Sequence, residues 1–368
     1  MRRMTPQDPP SPPTVSVVVP CYRYGHFLPA CVRSILDQEG VDVDVLIVDD
    51  ASPDDSAAVA HRLAEEDPRV RVLVHAVNQG HIATYNEGLA AVRGEYVVLL
   101  SADDMLAPRG LANATALLAA NPDVGLVYGF TRSFSAEPPP ARTAARSWSI
   151  WPGEEWLDLV CRRVRNPIYT PEVVMRARTL RDIGGYDPAL PHAADLLMWL
   201  RAASHGAIGR VNGVELAFYR FHGHNMHVAQ YPGALRDLTE RYRAFETLFD
   251  LDGDRLSEVP RLRDEVRRGI AREALITARD AYRRELPPSD LAVQSEVLDR
   301  IVAFAEQVWP PSAASRLRRS YDWSAARARA GKRSRAAHWL IAGWDRGVTH
   351  LRWRRWRRTG IDGAVGSI

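Results

Sequence analysis

An α/β fold, built on a doubly wound and mostly parallel sheet with a C-terminal helical appendage, is predicted by three observations. Short apolar runs alternate with stretches of helical periodicity four times within about the first hundred residues, two of those runs end abruptly in adjacent carboxylates, and long amphipathic patterns without strand signals take over beyond about residue 234. Parallel neighbours need crossover helices, so regular strand and helix alternation implies parallel strands.

Residues 15–20, Val-Ser-Val-Val-Val-Pro, form a continuous apolar run suited to a strand buried on both faces, and residues 27–38 carry apolar side chains at helical spacing. The second strand, 43–48, runs into Asp49-Asp50-Ala51-Ser52-Pro53-Asp54-Asp55, where Ser52 or Asp54 is placed to cap a helix reaching about residue 66. Residues 70–75 supply a third strand, 82–92 a helix, and 96–100 a fourth strand that stops at Ser101-Ala102-Asp103-Asp104. Pro108 suits the first turn of a helix over 107–120. A strand over 125–130 precedes a proline-rich surface loop over 137–146, positioned to act as a flap. A strand over 168–176, a short helix over 179–183 ending at Gly184-Gly185, a helix opening at Asp195 and strand signals over 209–221 follow. The appendage contains helices over 235–249, 262–284 and 291–309, and a last one including Ala337, Leu340, Ile341, Trp344, Val348 and Leu351. These signals divide the chain into a disordered tail over 1–13, α/β halves over 14–130 and 131–232, and a helical region over 233–368.

Composition narrows the class. A chain of 368 residues with 46% hydrophobic content buries a real core, which excludes disordered and fibrous proteins. Cys21, Cys31 and Cys161 lack metal-ligand spacing and suit a reducing compartment, so the expected location is cytoplasmic. The polar, proline-rich start does not resemble a signal peptide, and no apolar run approaches membrane-spanning length. A net charge of +3 argues against nucleic acid as the main partner. The charge is uneven, because fourteen basic residues against Asp322 and Asp345 lie over 316–358. Lys332 is the only lysine, so part of the arginine excess reflects composition. The final Trp353-Arg354-Arg355-Trp356-Arg357-Arg358 suits an anionic headgroup layer, at the inner face of the plasma membrane, or a subunit contact.

If the first, second and fourth strands point the same way, Tyr22, Asp50 and Asp103 all stand at carboxyl ends and face one ligand. Neither a spaced-glycine fingerprint nor a Gly-Lys-Ser/Thr loop follows the first strand, so a metal must replace the glycine cradle for phosphate. Asp50 offers an acceptor for a base N–H, Tyr22 a flat stacking face, and Asp103, with Asp104 beside it, an oxygen ligand for a cation on a diphosphate. Three close histidines, His222, His224 and His227, lack the companions of a zinc centre.

Val-Val-Val-Pro-Cys-Tyr (17–22), Val-Asp-Asp-Ala-Ser (48–52), Asn-Gln-Gly (78–80), Tyr-Asn-Glu-Gly-Leu (85–89), Gly-Glu-Tyr (94–96) and Ser-Ala-Asp-Asp (101–104) occur in this order. Gly184-Gly185-Tyr186-Asp187, Asp195 ahead of Trp199-Leu200-Arg201, and Tyr219-Arg220-Phe221-His222 with Asn225-Met226 follow. Together they resemble the family 2 glycosyltransferases of GT-A fold over roughly the first two-thirds of the chain.

That resemblance implies an inverting enzyme that moves a sugar from a nucleotide-diphospho-sugar, UDP-linked by preference, to an acceptor hydroxyl with Mn2+ or Mg2+, in cell-envelope glycan or secondary-metabolite synthesis. Residues 14–130 become the donor half and 131–232 the acceptor half. Tyr22 and Asp50 would meet the nucleobase, with Pro20, Asn78, Asn86 and Ser101 on the donor side. Asp103 would be the metal acid of the family's Asp-x-Asp motif, joined by His222 and Asp104, and Arg220 would help the leaving-group charge. Asp195 would take the acceptor's proton, although its place at a helix start also fits an N-cap aspartate. Three positions depart from the pattern: Ser101 replaces the first acid of the motif, Tyr85 a basic residue, and Ala194 an acid. Two other readings stand beside this one. A nucleotidyltransferase would need a basic glycine-rich loop where Cys21-Tyr22-Arg23-Tyr24 lies, and a degenerate sugar-nucleotide-binding scaffold is prompted by Ser101 and Ala194.

Overall fold

The computed structural model describes residues 1–7, 11–223, 233–283 and 291–330, with Gly347 and Leu351. Two compact units comprise Met1–Leu157 with Ile168–Asn225, and Asp158–Pro167 with Met226–Ile368.

The first unit opens with β1 (Arg2–Met4), followed by β2 (Thr14–Cys21), α1 (Leu28–Leu36), β3 (Asp42–Asp49), α2 (Ser56–Glu66), β4 (Val70–Val74), α3 (His81–Ala90) and β5 (Tyr96–Leu99). Next come β6 (Met105–Leu106), α4 (Gly110–Ala120), β7 (Val124–Tyr128), β8 (Thr131–Phe134), β9 (Ser147–Trp151) and α5 (Gly153–Arg163), which runs across the boundary between the units. The unit is completed by β10 (Val174–Arg176), α6 (Ala177–Ile183), α7 (Ala194–His205), β11 (Ala207–Asn212) and β12 (Ala217–Arg220).

Nine strands form one sheet in the order β1-β9-β11-β7-β10-β5-β2-β3-β4. The pairings make β9 and β10 run against the other seven, so the sheet is mostly parallel. The interior apolar runs explain this arrangement: Val15, Val17, Val18 and Val19 on β2 have no exposed surface, which only a central strand covered on both faces provides. Helix α1 covers one face with Leu28, Cys31, Val32 and Ile35, a single helical stripe. A small second sheet, β6-β12-β8, stands beside the strand ends.

Several expectations differ from the structure. Residues 1–13 are not simply a disordered tail, because Arg2–Met4 pairs antiparallel with β9. The helix expected from 107 starts at Gly110, since the Ala107 N–H donates to Leu216 O and Arg109 adopts φ 59°. The strand signals over 209–221 belong to two strands, β11 in the large sheet and β12 in the small one, separated by the Gly213 turn at φ 94°. Of the strand expected over 168–176 only β10 forms, after a 3-10 turn at Thr170–Glu172. The proline-rich loop is tied down, because Glu215 accepts from the Arg142 N–H at 2.7 Å and from its guanidinium.

The second unit contains α8 (Ala234–Asp252), α9 (Val259–Arg283), α10 (Leu291–Val308) and α11 (Arg316–Arg329). Its core includes Leu238, Leu275, Ile301, Val302 and Tyr321. Buried Arg241 sits between Asp237 at 2.7 Å and Glu273 at 2.9 Å. Helix α11 has no counterpart in the sequence expectations, and the tryptophan and arginine segment over 353–358 lies outside the described residues. Among the described residues, no helix is long and apolar enough to cross a membrane.

Candidate active site

The site forms where β3, β2 and β5 end side by side. Cys21 pairs with Asp49, the Asp50 N–H donates to Cys21 O at 2.9 Å, and the Ala102 N–H donates to Pro20 O at 3.3 Å, which places the three loops at one edge. With β2 between them, the strands β3 and β5 that lead to Asp50 and Asp103 run two strand spacings apart, about 10 Å.

The first two loops brace each other. Ser52 Oγ accepts from the Arg23 N–H at 2.9 Å, and Ser56 Oγ accepts from the Gly25 N–H at 2.8 Å. A Cβ on Gly25 would come within 2.8 Å of Ser56 Cα, so only glycine permits this approach. Asp49 Oδ2 accepts from the Ser52 N–H at 2.9 Å, closing the turn in which Ala51 adopts φ 54°. Arg23 is also left-handed at φ 63°, so strained non-glycine residues flank Tyr22 and Asp50. Tyr22 itself is 43% exposed, which leaves its ring accessible.

Asp50 is buried and heavily engaged. Its Oδ1 accepts from the Gln79 N–H at 2.7 Å and faces His75 Nδ1 at 2.8 Å, and its Oδ2 accepts from the Gly80 N–H at 2.9 Å. Burial works against its charge, but the Gln79, His75 and Gly80 contacts outweigh it and hold Asp50 below the usual carboxylate range. Asn78 donates from Nδ2 to Asp50 O at 3.0 Å, which shapes the loop.

On the other side of β2, Asp103 Oδ2 lies 3.0 Å from His222 Nε2. Beside it, Asp104 Oδ1 accepts from the Arg220 N–H at 2.9 Å. Burial pushes Asp103 above the usual carboxylate range against the opposing contact from His222, and burial followed by the Asp103 charge pushes Asp104 well above it. Arg220 serves the protein: Nε donates to Asp103 O at 2.9 Å, Nη1 donates to Ala136 O at 3.2 Å, and the guanidinium lies between the rings of Phe27 and Phe134 at 4.7 and 4.4 Å. This engagement ties Arg220 to the acidic loop. Tyr24 and Phe27 flank the His222 ring at 5.5 and 5.3 Å. Ser101 turns the chain, its carbonyl accepting from the Asp104 N–H at 2.9 Å. His224 and His227 lie outside the described residues.

Asp195 lies in the first turn of α7, partly exposed, with Oδ1 accepting from the Leu196 N–H at 2.7 Å. Its charge acts on buried Tyr186, whose N–H donates to Asn86 Oδ1 at 2.7 Å and whose carbonyl accepts from Asn86 Nδ2 at 2.9 Å. Asn86 is therefore a bracket that fixes the segment leading to Asp195. His81 Nε2, 3.1 Å from Pro191 O, fixes the same segment from the start of α3.

No group of three or more His, Cys, Asp and Glu gathers as a metal cluster among the described residues. Asp103 and His222 nevertheless fit a cation that completes its shell with ligand oxygens, since the paired buried acids of this loop gain from added positive charge. Sequence reasoning gave no site role to His75, Asp49 or Tyr186; Asp49 and Tyr186 stand within the quoted motifs, but nothing local marked His75.

Comparison with known proteins matches the model of Glycosyl transferase family 2 over residues 16–174. An uncharacterized protein of Mycobacterium tuberculosis is 30% identical over 209 residues, covering 54% of this chain and 65% of that one. Glycosyltransferase GlyG of Streptococcus pneumoniae is 39% identical over 93 residues, covering 25% of this chain and 31% of its own. The chain thus spans between about a quarter and two-thirds of the length of the first curated relatives, from 26% to 65%. Among solved structures, S. aureus TarS 1–349 in complex with UDP-GlcNAc superposes with a TM-score of 0.59 at 15% identity, over 87% of this chain and 92% of that one. The mannosyltransferase PcManGT of Pyrobaculum calidifontis, in complex with GDP-Man and Mn2+, gives 0.50 at 20% identity over 88% and 89%. Residues 16–174, which carry the ordered strand-end motifs and most of the mixed sheet they terminate, match glycosyltransferase family 2, and the fold is GT-A.

Proposed function

We propose that the protein is an inverting glycosyltransferase that moves a sugar from a nucleotide-diphospho-sugar to an acceptor hydroxyl. The observation that carries this reading is the shared edge of β2, β3 and β5, which sets exposed Tyr22, Asp50 and the Asp103 and His222 pair in a row, with Asp195 on α7 tied to α3 through Tyr186 and Asn86. Tyr22 stacks on the nucleobase and the open side of Asp50 accepts its N–H. Asp103 and His222 would hold Mn2+ or Mg2+, which when bound supplies charge neutralisation for the departing diphosphate.

Inversion requires attack from the side opposite that diphosphate. The acceptor oxygen bonds to the anomeric carbon as the carbon–oxygen bond to the diphosphate breaks, and the Asp195 carboxylate takes the hydroxyl proton. Asp195 suits this role because it is partly exposed, whereas Asp50, Asp103 and Asp104 are buried. UDP linkage, an acceptor in envelope glycan or secondary-metabolite synthesis, and work at the cytoplasmic membrane face complete the reading.

Sugar nucleotides assayed with and without Mn2+ for thermal protection identify the donor, because a ligand that binds only the native state raises its apparent stability. Asp103→Asn and Asp195→Asn each abolish transfer while circular dichroism stays unchanged. An Asp195→Asn enzyme that still transfers sugar removes the base assignment, and binding without turnover on any acceptor favours a scaffold.

A further inference from the structure

His75 is a buried titratable group that the mechanism above does not use. It follows β4, its side chain is 2% exposed, and both ring nitrogens face carboxylate oxygens, Nδ1 to Asp50 at 2.8 Å and Nε2 to Glu87 of α3 at 2.9 Å. A neutral imidazole has one N–H and one lone pair, so both contacts are hydrogen bonds only when both nitrogens carry protons. The main chain of His75 is fixed as well, its backbone N–H donating to Asp49 O at 2.9 Å.

The consequence falls on Asp50. An ionised carboxylate offers about four lone-pair positions. Gln79 N–H and His75 take those of Oδ1, Gly80 N–H takes one on Oδ2, and a single position on Oδ2 stays open. Without His75 the carboxylate has only two backbone donors on adjacent residues, Gln79 and Gly80, and is free to swing about them. Glu87, 43% exposed on α3, anchors the far side of the ring and so ties the carboxylate to a helix and not to the loop alone.

We propose that His75, clamped between Asp50 and Glu87, is a positioning residue for donor binding that fixes the remaining acceptor position of Asp50 for a nucleobase N–H. This rests on the reading of the β2 and β3 loops as the nucleobase subsite. His75 touches neither sugar nor diphosphate, and its influence is confined to the base.

Calorimetric titration with UDP plus Mn2+, and separately with inorganic pyrophosphate plus Mn2+, tests this on the full chain. His75→Gln retains a donor for only one of the two acids, and UDP binds about tenfold more weakly, a change of about 1.4 kcal/mol. Glu87→Gln alters a half-exposed position that the fold tolerates, and weakens UDP about threefold. Pyrophosphate, which has no base, binds both variants as it binds the wild type. Equal UDP affinity in wild type and both variants overturns the inference, as does a loss of pyrophosphate affinity in step with UDP, which marks a merely structural role. A wild type that binds none of UDP, dTDP and GDP sinks the donor reading itself and the inference with it, whereas unaltered UDP binding in the variants sinks the inference alone.

Discussion

Glu172 offers a quantitative test of the packing around β10 and β12. It is fully buried, with Oε1 accepting from the Tyr169 N–H at 3.2 Å and Oε2 from Thr131 Oγ1 at 3.1 Å. Burial dominates these contacts and the nearby Arg210 charge, and pushes the carboxyl up to about 7 from the ordinary 4.5. The folded protein therefore keeps a proton that the unfolded chain has already lost through the interval between those values. Its stabilising contribution is fully present below about pH 4.5 and is lost as pH rises through about 7. At 1.36 kcal/mol per unit, the loss between pH 5 and pH 8 is about 2 to 3 kcal/mol. Glu172→Gln removes the proton uptake. Urea denaturation of both proteins at pH 5 and pH 8 should show wild type losing about 2 to 3 kcal/mol more than the variant over that range. Parallel loss in the two proteins refutes the assignment of a protonated buried carboxyl.

Two further substitutions test the loops. Ala51 is held left-handed at φ 54°, a conformation that costs an L-residue about 1–2 kcal/mol, so Ala51→Gly stabilises by about 0.5–1 kcal/mol in urea melts once glycine's larger chain entropy is subtracted. Glu215, buried and held below the usual carboxylate range by its contacts with Arg142 despite its burial, ties the proline-rich loop to the small sheet. Glu215→Ala costs about 1–3 kcal/mol and opens the segment over 137–146 to limited proteolysis; a loop as resistant as wild type contradicts that tether.

The parallel half of the fold was legible because its signals are local. Val17 to Val19, Val45 to Val48 and Tyr96 to Leu99 are continuous apolar runs, and a buried parallel strand needs no more than that. Of the two antiparallel strands, β10 lies within the strand read over 168–176, but β9 was not legible. Strand β9, Ser-Trp-Ser-Ile-Trp, reads as a strand only once β1 and β11 pair with it from 146 residues upstream and 61 downstream, by the register of Arg3 with Ser149 and of Ser149 with Arg210. Site residues divide the same way. Asp50 and Asp103 stood at strand ends, where sequence alone locates them. The directions of Asp104 and Arg220 depended on the small sheet, whose strand β12 lies more than a hundred residues beyond β6, and no local pattern specifies that pairing.

The pairing of Arg2–Met4 with β9 bears on any engineering of the amino terminus. Strand β9 would otherwise present unpaired N–H and C=O groups along a margin rich in tryptophan, Trp148 and Trp151, a template for association with other chains. Trimming the first seven residues, or crowding them with a bulky fusion, uncovers that margin, and the first sign should be self-association and not loss of helix content.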